Sequence, residues 1–198
     1  MTSKKPKKVT AAEFMAELMA KDEFVREDAR RAAMFEARAE ELRSAEVPIV
    51  NDLRSAGVEV SSVWDLVNSP NDYDDALPIL VQHLSTRAYP DRVRESLGRA
   101  LAVRQAQPYW GKLRDLYLAA TGAGEGEGLA IALAGSAAPE NLDGLLELIN
   151  QHPQGTTQIH LLRAIKRVGG RRGIEFLESL SSDPVFGKEA TALLRARR

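Results

Sequence analysis

The chain of 198 residues contains no cysteine. Disulfide staples, thiolate metal sites and cysteine nucleophiles are therefore excluded, and the composition fits a reducing cytoplasm. Only three histidines occur, His83, His152 and His160, and none stands four residues from another as a helical metal site requires. Each reads as a surface or helix-end histidine, and neither a metal nor a cofactor is expected. An excess of one charge is also lacking. The 27 basic and 28 acidic side chains leave a net charge of -1, unlike the positive excess of a domain dedicated to nucleic acid. No stretch approaches the roughly twenty apolar residues of a membrane-spanning helix. The start carries Lys4, Lys5, Lys7 and Lys8, yet an amphipathic segment follows it rather than a continuous apolar one, which argues against a secretory signal. A cytoplasmic protein without membrane association is expected.

What the chain has is repetition at a spacing of 32 residues. Leu97, Leu129, Leu161 and Leu193 align, as do Ala100, Ala132, Ala164 and Ala196, and then Leu101, Leu133 and Ile165, the row ending at Arg197. A second set precedes it. Leu84, Leu116, Leu148 and Leu180 align, with Val81, Leu113, Leu145 and Leu177 three residues earlier and Pro78, Trp110, Leu142 and Ile174 three before those. A period of this length signals stacked helix pairs that share one apolar spine. First helices are predicted at about 74–85, 108–120, 139–151 and 171–181, and second helices at about 90–103, 125–137, 156–168 and 184–197. Pro90, Pro108, Pro139 and Pro184 fall in first turns, where a missing amide donor costs nothing, and Gly122 and Gly169-Gly170 follow helix ends.

The first 70 residues lie outside this register. Residues 1–9 form a lysine-rich tail too polar to order itself. Thr10, with Glu13 three residues on, has the spacing of a capping box for a short helix through Met19 whose apolar stripe is Phe14, Met15 and Leu18. Asp22 can cap a long helix over 23–45, with a stripe of Val25, Ala29, Ala32, Phe35, Ala39 and Leu42 for docking on the first repeat or pairing with a partner. Pro48 can open another helix that stops at Gly57, and Ser61 or Ser62 a short one holding Val63, Trp64, Leu66 and Val67. The expected organisation is a disordered tail over 1–9, an N-terminal helical segment and capping unit over 10–70, and repeats over 71–198. The fold class is an all-α solenoid of about four helix pairs.

At Tyr89–Leu101 the run Tyr-Pro-Asp-Arg-Val-Arg-Glu-Ser-Leu-Gly-Arg-Ala-Leu resembles the second helix of a HEAT-type repeat of the short, bilin-lyase-like variety, and Ser182-Asp183-Pro184 opens the last helix similarly. The resemblance covers about 74–198. It implies a HEAT/armadillo-like superhelix, such as small bacterial HEAT-repeat proteins adopt. It says little of activity, because that family spans adaptors, transport factors, chromophore lyases and DNA glycosylases.

Chemistry has few footholds. The run Gly122-Ala-Gly-Glu-Gly-Glu-Gly128 matches no phosphate-binding pattern and reads as a mobile turn between helices. Asp72, Asp74 and Asp75 sit at a helix start, where carboxylates suit the dipole. A glycosylase would need a carboxylate flanked by aromatics in a basic cleft, whereas Trp64 and Trp110 fall toward the acidic side. Arg99, Arg163 and Arg195 share one repeat position, interrupted by Ile131 and about 200° around the helix from the buried leucines. With Lys166 and Arg167 they are the candidate contacts on a concave face lined by second helices. Guanidinium groups there would take carboxylate or phosphate. From 151 to 198 nine basic residues face four acidic ones, which makes a basic C-terminal pole. The expected function is non-enzymatic recognition of an acidic protein partner. Nucleic-acid binding through the pole is the alternative, and lyase or glycosylase activity a more distant one.

Overall fold

The structure is a computed structural model that describes residues 10–67, 69–86, 89–151 and 155–196. The lysine tail, His152 and Arg197 lie outside the described residues. Among those described, secondary structure is entirely helical. The chain divides into two compact units, Met1–Glu41 and Leu42–Arg198.

The first long element differs from the expected three. Helix α1 runs unbroken from Ala11 to Ser55, through Asp22 and Pro48. Its start is the expected capping box: the Thr10 amide donates to Glu13 Oε2 at 2.8 Å, and the Glu13 amide to Thr10 Oγ1 at 3.2 Å. An interior proline costs a helix about 3 kcal/mol. Here the residues beyond it are buried, and enclosing Ile49 and Leu53 gains about 1.5–3 kcal/mol each, which offsets that cost. The stop at Gly57 is as expected, with φ at +82° and the Val58 amide reaching back to the Leu53 carbonyl. In the first unit the apolar side chains of Phe14, Met15, Met19, Phe24, Val25, Met34 and Phe35 are all exposed.

In the second unit α2 (Trp64–Val67) is followed by α3 (Leu77–Ser85), α4 (Asp91–Ala100), α5 (Trp110–Leu118), α6 (Ala123–Ser136), α7 (Leu142–Gln151), α8 (Ile159–Val168), α9 (Gly170–Ser179) and α10 (Gly187–Arg195). Short 3-10 turns lead into α3, α5, α7 and α8. Within pairs, α3 packs on α4, α5 on α6, α7 on α8 and α9 on α10, while α4, α6, α8 and α10 pack successively on one another. The repeating rows are the core. Leu97, Leu129 and Leu161 are fully enclosed and Leu193 nearly so, with Ala100, Ala132, Leu101, Leu133 and Ile165 beside them. Pro78 departs from its row and is exposed; Ile174, Leu180 and Ala196, in the last repeat, are less covered than their equivalents. Ile49, Leu53, Val60, Val63 and Leu66 belong to the same core as the repeats, so the capping segment is not a separate body.

The glycine-rich run is not a turn. It forms the first turns of α6, because Asp91 of α4 accepts the Gly124 and Glu125 amides at 2.9 and 2.8 Å, and because α4 and α6 cross closely. A Cβ on Gly128 would stand 2.5 Å from the Glu95 carbonyl oxygen, and one on Gly98 2.5 Å from the Gly128 backbone. Beneath that crossing Arg94 and Glu125, both buried, pair at 2.5 Å, and Arg94 also donates to the Leu84 carbonyl.

Candidate binding cleft

A cleft of about 470 Å³ opens along the second helices. Ala102, Ile131, Ala134, Ile159 and Ala164 give it an apolar floor, and His160, Arg163, Arg167 and Glu189 stand around it. Each comes from the helical repeat: Ile131 and Arg163 occupy the same position in α6 and α8, one period apart, and so point to the same side of the stack.

The five candidate contacts separate into different environments. Arg163 is exposed and makes no hydrogen bond or ion pair with the described residues. Arg167 lines the same cleft, but its guanidinium donates to the carbonyls of Ala134, Gly135 and Ala137 at the end of α6. Burial, and secondarily the charge of Arg104, lowers its pKa. Lys166 donates to the carbonyls of Leu193 and Ala196 at the end of α10. Both serve the negative ends of neighbouring helices. Arg99 is half-buried, with Nε on Glu95 at 2.8 Å and Nη2 on Glu127 at 2.6 Å. Arg195 lines a separate depression at the α9–α10 turn, beside Asp183 and Lys188. The expected row of arginines is thus not gathered in one groove; Arg163 and Arg167 share the cleft, and the other three do not.

Upstream of the cleft the face is neutral. Arg92 and Arg99 share Glu95, Arg99 continues to Glu127, and the guanidinium of Arg92 lies 4.5 Å and that of Arg99 6.0 Å from the centre of the Trp64 ring. Two cations and two carboxylates balance there, so the positive character of the face begins at Arg163. His160 joins the two zones, its Nε2 3.9 Å from Glu127. Burial lowers its pKa; Glu127 and Glu189 oppose the shift, while Arg99 and Arg163 reinforce it. The neutral ring is therefore favoured.

One expectation is narrowed. His83 stands in the last turn of α3, a helix end as expected, but it is buried rather than at the surface, with Nδ1 2.7 Å from the Tyr89 hydroxyl and Nε2 3.0 Å from Asp52. Trp64 lies beside Arg92 and Arg99, two basic residues that precede the C-terminal pole. Trp110 is buried, its indole donating to the Leu133 carbonyl at 3.2 Å. Asp72, Asp74 and Asp75 are exposed around a recess near Tyr73, and Asp72 accepts from Gln105. Among the described residues no group of three or more His, Asp or Glu is placed to hold a metal ion, and no helix is long and apolar enough to cross a membrane.

Sequence reading missed His160, Glu127 and Glu189 as parts of this face. Ile131 carried a signal: an apolar residue interrupting an arginine row on an otherwise solvent-facing position marks a floor. Comparison with protein-family models, with curated proteins and with solved structures gives no match to this chain.

Proposed function

We propose that residues 71–198 form a HEAT-like solenoid of four helix pairs that binds an acidic protein segment in the cleft between α6 and α8. The stacking reading is supported by the successive packing of second helices and by polar links about one period apart. These include Asp72 with Gln105, Gln107 with Glu140 and Arg114 with Glu147. The binding reading is carried by one observation: of the five basic candidates, Arg163 alone combines a free guanidinium with an apolar floor. A carboxylate engaged by that guanidinium, next to an aliphatic side chain on Ile131 and Ala134, is the fitting ligand.

A random peptide display library panned on the full chain tests this. Enriched sequences are expected to place Asp or Glu beside an aliphatic residue. Arg163→Glu should weaken the selected peptide at least about tenfold, roughly 1.4 kcal/mol, while Lys112→Glu, on the exposed side of α5, should not. Failure to enrich any such sequence, or binding indifferent to Arg163→Glu, overturns the reading. Nucleic-acid binding by the C-terminal pole has less support, since Arg171 pairs with Glu175 and Arg172 with Asp143. Binding to a DNA duplex that falls steeply as salt rises would establish it instead.

A further inference from the structure

The exposed face of α1 within the first unit has a spacing of its own. Phe14, Lys21, Asp28 and Phe35 recur every seven residues, and Val25, Ala32 and Ala39 recur every seven between them. That is the seam of a two-stranded coiled coil, in which two positions per heptad meet the facing helix. Phe14 is 58%, Val25 58% and Phe35 70% exposed, while Ala39, at the end of the seam, is half-buried. Two ionic residues, Lys21 and Asp28, interrupt it one heptad apart with opposite sign.

Those two residues select the occupant. A parallel, in-register copy would set Lys21 against Lys21 and Asp28 against Asp28, and would bring Glu17 beside Asp22 of the other helix. An antiparallel copy with residue 14 facing residue 39 gives a different set of neighbours. Phe14 meets Ala39, large against small; Lys21 lies over Ala32, and Asp28 over Val25. Lys21 of each helix is then about one turn, ~6 Å of rise, from Asp28 of the other, within reach of a lysine side chain. On the flank, Glu17 comes beside Arg38. Each of these pairs occurs twice by symmetry. We propose that this face is a self-association surface, and that it takes a second copy of the same helix in antiparallel orientation.

The test uses the full chain and exploits its lack of cysteine. Light scattering at about 100 µM should report twice the chain mass, and Lys21→Glu should lower the dimer fraction. The exchange Lys21→Asp with Asp28→Lys should restore it, since the antiparallel pairs are merely reversed. Under mild oxidation, Phe14→Cys mixed with Ala39→Cys should give a disulfide-linked heterodimer, while either variant alone gives little, because only 14 and 39 face each other within bridging distance. Circular dichroism confirms that each variant retains its helix content. A monomer at every concentration overturns the proposal, as does a 14–14 crosslink in the single variant, which means parallel pairing. A dimer untouched by both Lys21→Glu and Phe35→Ser places the interface elsewhere and equally overturns it.

Discussion

Single side chains in the second unit act mostly across helices. Arg94 serves the end of α3, Tyr73 the end of α4, Arg167 and Trp110 the end of α6, and Lys166 the end of α10. A sequence shows which side of a helix a lysine occupies, but not that an open carbonyl lies one repeat away. Lys166 and Arg167 therefore read as contact residues and prove to be caps. The buried leucines were legible because period and burial coincide, and Leu129→Ala should lower stability by about 2–5 kcal/mol in urea titration. Glu125→Ala leaves Arg94 charged, enclosed and unpaired, and should cost about 3–5 kcal/mol, with Glu125→Gln milder because one hydrogen bond survives. His160 sets a pH dependence. Its folded pKa lies below the ordinary 6.5, so between the two values the unfolded chain binds more protons than the folded one. Stability is unaffected above that range and falls as pH drops through about 6.5. The urea midpoint should thus decline from pH 7.5 to 5.5, and His160→Gln should flatten that decline.

At the scale of elements, the boundaries of α3 to α10 lie within a few residues of those expected, because proline and glycine punctuation agrees with the 32-residue period. Two departures have a common cause. Pro48 and the 122–128 glycines are local helix breakers, yet both lie inside helices because neighbouring structure rewards the helix there. Ile49 and Leu53 gain burial, and α6 gains a cap from Asp91 together with close contact on α4. Glycine in α6 exchanges helix propensity, about 1 kcal/mol per residue, for a crossing that a methyl group would obstruct. Gly128→Ala at an ordinary exposed helix site would stabilise; here it should destabilise by at least about 1–3 kcal/mol, read by thermal or urea unfolding, as the backbones are forced apart.

Over the whole second unit the repeats are unequally covered. Helices α4, α6 and α8 have neighbours on both sides, whereas α9 and α10 have none beyond them among the described residues, consistent with the partial exposure of Leu180, Ile174 and Ala196. Amide exchange should therefore be fastest in α9 and α10 and slowest in α4 and α6, with contiguous protection within each pair. The sequence by itself determined the helical class, the period, the pairing of helices and the apolar spine, since each depends on spacing along one chain and on side chains that must leave water. Tertiary structure alone decided which basic residues are free. Arg99, Lys166 and Arg167 stand close in the pattern to Arg163 but have partners about a repeat away: Glu127 for Arg99, which also pairs with Glu95 of its own helix, and carbonyls for the other two. Such partners depend on how far one helix is set against the next, a quantity that no periodicity encodes.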